Sequence, residues 1–130
     1  MDYSMNITSE YELHVKVVDF IRKFYPEAII IPGLGELQIA KKTRTVAYKK
    51  GYRSGQPDLI IMNKNKVSSG LAIEFKTPKG KGRLSANQKE FLDHLSENGF
   101  TVLVSHDYDE INIEIVKHFS QFNGSNDMDL

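Results

Sequence analysis

Asp58, Glu74 and Lys76 are the residues of this chain whose types and spacing can do chemistry. Asp58 closes the turn Gly55-Gln56-Pro57-Asp58 and opens the apolar run Leu59-Ile60-Ile61-Met62, and Glu74-Phe75-Lys76 begins sixteen positions after it. Side chains two apart on a strand share a face, so Glu74 and Lys76 point one way while Ile73, Phe75 and Thr77 point the other. A charged Glu and Lys on an otherwise apolar strand are costly to bury without partners. Pairing with each other satisfies them in part and leaves carboxylate lone pairs over. Hard cations such as Mg²⁺ take oxygen ligands in octahedral geometry and keep several waters. Asp58, Glu74, the main-chain carbonyl of Phe75 and water would supply such a set. Lys76 would then stand near a metal-bound water, where it can orient that water, lower its pKa or stabilise charge on a phosphate. Two carboxylates and an amine meeting at a sheet edge point to hydrolysis of nucleic acid.

The elements that must position these groups can be read from periodicity and punctuation. A first helix begins at Thr8 or Ser9 and runs to about Tyr25, with Pro26 stopping it. Its apolar stripe is Leu13, Val17, Phe20, Ile21 and Phe24. Glu10 falls on the same stripe and Glu12 does not, so Glu10 is either a third carboxylate for the metal or a partner of the helix dipole. Ala28–Ile31 reads as a short strand, Thr43–Tyr48 as a second, more polar strand, and Leu59–Met62 as a strand buried on both faces. Asn63–Gly70 has hairpin character, and Leu71–Thr77 is the next strand, stopped by Pro78. A basic loop, Lys79–Leu84, leads to a second helix from Ser85 to Asn98-Gly99. Ser85-Ala86-Asn87-Gln88 has the capping-box pattern. Gln88 lies on that helix's buried face with Phe91, Leu92 and Leu95. It either closes the box or holds the attacking water or the Lys76 amine. Thr101–Ser105 is a further strand, and Ile111–Phe122 a last helix, although Ile111, Ile113 and Ile115 alternate as a strand would. The order α-β-β-β-β-α-β-α implies an α/β protein, a mixed central sheet flanked by helices, with one right-handed crossover after Glu74.

The 130 residues, 40% of them hydrophobic, suit a single domain over 1–122 with a frayed tail at 123–130. There is no cysteine, which excludes disulfides and thiolate metal sites. No apolar run approaches the ~18–20 residues needed to span a bilayer, and the first residues lack the pattern of a secretory signal. An intracellular, soluble domain with no membrane partner is expected. The net charge is zero, but its distribution is uneven. Lys41, Lys42, Arg44, Lys49, Lys50 and Arg53 fall in an acid-free stretch from Leu37 to Pro57, and Lys76, Lys79, Lys81 and Arg83 in another from Lys76 to Arg83. A polyanion responds to the local field of such patches. The alternative is solvated lysine-rich loops. Apart from Lys76, these residues are the candidate DNA contacts, with Arg53, Lys79 and Arg83 foremost because they flank the proposed ligands. His14, His94, His106 and His118 show no ligand spacing and read as surface or satisfied core residues.

Gly55-Gln56-Pro57-Asp58, then Glu74-Phe75-Lys76, then Gly82-Arg83-Leu84-Ser85 followed by Gln88, resemble the signature of the VRR-NUC family within the PD-(D/E)XK nuclease superfamily. The likeness runs from about Ser9 to about Ser105. It implies a restriction-endonuclease-like core and a phosphodiesterase acting on DNA with Mg²⁺ or Mn²⁺. Glu10, Asp58 and Glu74 would be metal ligands, Lys76 the catalytic lysine and Gln88 the glutamine of the second helix. Small stand-alone members resemble homodimeric resolvases of four-way DNA junctions, and larger members cut flap-like DNA. A homodimer acting on branched DNA is therefore the leading expectation. The same chemistry on a flap, a nick or a restriction site is the second, although no recognition helix is evident for reading bases. A DNA-binding module in which Asp58, Glu74 and Lys76 form only a structural charge network is the third.

Overall fold

A computed structural model of the chain describes residues 7–33, 41–77 and 83–123. Four helices and four strands follow in the order α1 (Glu10–Phe24), β1 (Ile30–Pro32), α2 (Lys41–Lys49), β2 (Leu59–Ile61), β3 (Gly70–Phe75), α3 (Ala86–Glu97), β4 (Phe100–Ser105) and α4 (Tyr108–Asn123). The strands form one sheet in the order β1-β2-β3-β4. The first two pairings are antiparallel, and β4 runs parallel to β3 after crossing through α3. The sheet is therefore mixed, as the order of elements requires.

Alternation along the strands sorts the faces. Leu59, Ile61, Leu71, Ile73 and Phe75 join Leu13, Val17 and Ile21 of α1 and Ile111, Ile115 and Phe119 of α4 in one core. Each fully buried side chain of this kind contributes about 1.5–3 kcal/mol. The opposite face of β3 carries Ala72 and Glu74, and there α3 packs with Leu92 inward. β2 is not covered on both sides as the apolar run suggests, because Ile60 is half-buried and Met62 is exposed.

Local chemistry sets the ends of the helices. Ser9 caps α1 by accepting from the Glu12 amide, and Glu12 reaches back to the amide and hydroxyl of Thr8. Asp107 caps α4 by accepting from the amides of Asp109 and Glu110. Within α4, Ile111 and Ile115 are buried while Ile113 is 61% exposed, which is helical spacing and disposes of the strand-like alternation. His118 of α4 is indeed a satisfied core residue, lying 2.6 Å from the Asn63 carbonyl and 3.1 Å from the Asn65 amide.

The segment read as a polar strand, Thr43–Tyr48, is instead the middle of α2. Thr, Val and Tyr carried the strand signal, but lysines, Arg44 and Ala47 are good helix formers and no sheet edge pairs with them. The helix ends in a Schellman motif. The Gly51 amide donates to Tyr48 O at 2.9 Å and the Tyr52 amide to Ala47 O at 2.9 Å, with Gly51 at φ +114°. Lys79, Lys81 and the tail from residue 124 lie outside the described residues, and Asn123 belongs to α4.

Gly55 has the same left-handed backbone (φ +98°), but a Cβ there would collide with the main chain of Asn87 in the first turn of α3. At Gly51 an added Cβ meets nothing within 4 Å. Gly51→Ala is therefore expected to cost about 1 kcal/mol, the conformational penalty alone. Gly55→Ala should cost about 3 kcal/mol or more, because the obstruction is backbone. Urea denaturation of both variants checks this. Equal losses would mean that the seat of the turn against α3 contributes nothing.

Candidate active site

Strand register brings the two carboxyl groups together. Leu59 stands opposite Ile73, so the next pair along is Asp58 opposite Glu74. On the other side the Gly33 amide donates to Asp58 O at 2.9 Å, which carries the β1–β2 pairing to the same level. Directly opposed residues have Cβ atoms about 4.5–5.5 Å apart, and both side chains point to the α3 face. The two carboxyl groups are close enough that each acts on the ionisation of the other. Asp58 is oriented by its Oδ2, which accepts from the Phe75 amide at 2.8 Å. Glu74 is only 3% exposed. Its Oε2 accepts from Gln88 Nε2 at 2.8 Å, and its Oε1 is buried with no hydrogen-bond partner.

Such a pair cannot be fully ionised without cost. Burial, then the neighbouring Asp58 charge and hydrogen bond, push the Glu74 carboxyl up to about 8, with Glu10 adding to the rise and Lys76 opposing it. Burial also raises Asp58, against the Phe75 amide and the positive fields of His14 and Lys76. Near neutral pH the two groups therefore share a proton.

Gln88 does close the capping box, its Oε1 accepting from the Ser85 amide at 2.8 Å while Ser85 Oγ accepts from the Gln88 amide. Its side-chain nitrogen goes to Glu74 and not to the Lys76 amine. Lys76 continues the β3–β4 ladder through its amide to Ser105 O, and its Nζ lies 3.4 Å from Arg83 O. It is half-buried beside the carboxyl pair and acts electrostatically on both members.

Glu10 is exposed in the first turn of α1 and reaches the pair through its field on Glu74. Among the described residues no three His, Cys, Asp or Glu side chains gather into one ready-made metal cluster. His14, one helical turn after Glu10, packs its ring 4.8 Å from that of Phe75 and favours ionisation of Asp58. Reading the sequence missed it, because histidines were compared only with one another. Its i,i+4 spacing from Glu10 was the available signal.

Of the candidate DNA contacts, Lys41, Lys42, Arg44 and Lys49 lie in α2, with Arg44 and Lys49 exposed, and Lys50 follows in the turn. Arg53 leans on α3, 5.6 Å over the Phe91 ring and 4.0 Å from Glu90. Arg83 is exposed just before α3. The fit of a divalent cation rests on the donor set. Asp58 and Glu74 offer hard oxygens, and Glu74 Oε1 is a buried acceptor with nothing to accept.

A profile of the VRR-NUC domain matches residues 10–107, and the chain belongs to that family. It is a nuclease-type domain, which implies DNA as its partner. A solved structure described as a VRR_NUC domain protein superposes with a TM-score of 0.69 at 21% identity, over 87% of this chain and 89% of that one. That likeness shows the fold, an α/β nuclease fold with a mixed four-stranded sheet flanked by helices. No curated protein matches the chain. No described helix is long and apolar enough to cross a membrane.

The raised Glu74 carboxyl has a signed consequence. Its folded value, about 8, lies above the ordinary 4.5, so the native state binds the proton more tightly. The resulting stabilisation is complete below about pH 4.5 and is lost as pH rises towards 8. In EDTA, Glu74→Gln is expected to remove this loss, so that the variant gains about 2–4 kcal/mol on the native chain between pH 5 and pH 8.5. Urea midpoints at the two pH values measure it. A constant difference between the proteins would refute a shared proton.

Proposed function

We propose that this chain is a metal-dependent, structure-selective DNA endonuclease that cuts branched DNA, four-way junctions foremost, as a homodimer. The observation that carries the reading is the forced Asp58–Glu74 pair with its orphaned Glu74 oxygen and Lys76 alongside. Asp58 and Glu74 would hold a Mg²⁺ or Mn²⁺ ion, with the Phe75 carbonyl and Glu10 as further ligands. That ion, when bound, supplies Lewis-acid polarisation of the phosphate and a water of lowered pKa.

The remaining work falls to the chain's own groups. The Phe75 amide holds one oxygen of Asp58 and Gln88 holds one oxygen of Glu74, which orients the two carboxyl groups. Lys76 carries its ammonium at the end of β3, where it can donate to a non-bridging phosphate oxygen or orient the attacking water. The basic α2 and Arg83, with Lys79 and Lys81 beyond the described residues, would hold the backbone through phosphates, which gives affinity without sequence information. Absence of base-reading demands suits a substrate recognised by shape. Two copies about a two-fold axis would match the symmetry of a junction, and Ile31 of β1 and the nearby Met62 offer a second copy exposed apolar surface.

Cleavage of four-way, flap, nicked, single-stranded and plain duplex DNA, each with Mg²⁺ or Mn²⁺, tests the reading. Junctions should be cut fastest, and Asp58→Ala and Lys76→Ala should each slow cutting about 10²-fold or more. Thermal stabilisation by Mn²⁺ should be greater at pH 8 than at pH 6, since the ion displaces the shared proton, and should vanish in Asp58→Ala. Variants that cut as well as the native chain would overturn the site. Strong preference for one short duplex sequence would overturn junction selectivity.

A further inference from the structure

Resting on the DNA-cleaving function proposed above, we infer that Tyr48 is a base-stacking side chain and that the substrate presents unpaired bases to α2. Tyr48 is 71% exposed, the second most exposed large hydrophobic residue described after Val67. It stands in a helix that contains no acidic residue, one turn from Arg44 and next to Lys49, both exposed. By helical spacing, Arg44, Thr45, Tyr48 and Lys49 share the outward side, while Ala47 turns inward and is half-buried. A tyrosine ring held in water amid cations gains nothing for the fold. A nucleic-acid strand supplies what both groups fit, since phosphates meet the cations and a base covers the ring. Stacking of this kind is sequence-tolerant because every base has a π-face, and it requires bases that are out of the duplex.

The placement also connects α2 with the carboxyl pair. The Schellman turn after Tyr48 passes into residues 52–56, which seat on α3. Asn87 Nδ2 donates to Ser54 Oγ at 3.3 Å, and Gly55 lies against the Asn87 main chain, one residue before Gln88. A strand bound along α2 is thus fixed, through this turn, to the helix end that holds Glu74.

The experiment uses the full chain in EDTA, so that DNA is bound and not cut. Fluorescence anisotropy compares a forked DNA with unpaired arms against a blunt duplex of equal length, for the native chain, Tyr48→Ala and Tyr48→Phe. Tyr48→Ala is expected to weaken fork binding about tenfold while changing duplex binding less than twofold, and Tyr48→Phe to bind as the native chain does. A 2-aminopurine in the unpaired arm should be quenched by the native chain and not by Tyr48→Ala. Equal losses on fork and duplex, or no loss on either, would overturn the stacking role even if the native chain binds and cuts DNA. A native chain that binds neither DNA would overturn this inference and the DNA-cleaving function together.

Discussion

The structure depends on one unfavourable contact, the opposition of Asp58 and Glu74 across two hydrogen-bonded strands. Neither residue can leave. Leu59 and Ile61 lock β2 to Ile73 and Leu71 of β3 with their buried faces towards α1 and α4. A slip of one residue would turn those apolar side chains outward. The core on one face of the sheet therefore dictates that two carboxyl groups meet on the other. Their repulsion and desolvation cost far less than the core contributes. The stress appears in the raised Glu74 carboxyl and in an acceptor without a donor.

The surroundings of the pair are organised by the start of α3. Gln88 is at once the reciprocal half of that helix's cap and the donor to Glu74. The orientation of a carboxylate is thereby tied to the integrity of a helix terminus, with no additional element. Gly55 lets the turn before Asp58 approach the same helix end, and Arg53 braces it over Phe91. Both strands of the pair are thus referenced to one rigid point, which is how a site is kept precise when its members come from distant parts of the chain.

Much of this was legible in the sequence because it depends on short-range rules. Alternation assigned Glu74 to the face opposite Ile73 and Phe75, and the Ser85–Gln88 spacing announced the cap. The Asp58–Glu74 meeting could be anticipated only once β2 and β3 were taken as hairpin partners. The misreading of α2 has a physical cause. Thr43, Thr45, Val46 and Tyr48 favour strands when half-buried against a neighbouring strand, and none of the described strands pairs with this segment. Lys49-Lys50-Gly51-Tyr52 held the contrary signal, a glycine placed for a Schellman end. The role of His14 depends on the packing of α1 on Phe75, a long-range contact at which only its i,i+4 spacing from Glu10 hints.

A chain of zero net charge that is to hold a polyanion must keep its two signs apart. The acids at the site form a pair that resists full ionisation, which lowers their repulsion of phosphate. The bases are displaced to α2 and to the approach to α3, where exposure leaves them solvated at little cost. Among the described residues Lys76 stands between the two regions, half-buried and close enough to oppose the rise of Glu74. Had further lysines surrounded the pair, they would have lowered both carboxyl values and competed with a cation for the same oxygens. Among the described residues, one ammonium beside the pair is the arrangement that leaves Glu74 Oε1 without a hydrogen-bond partner.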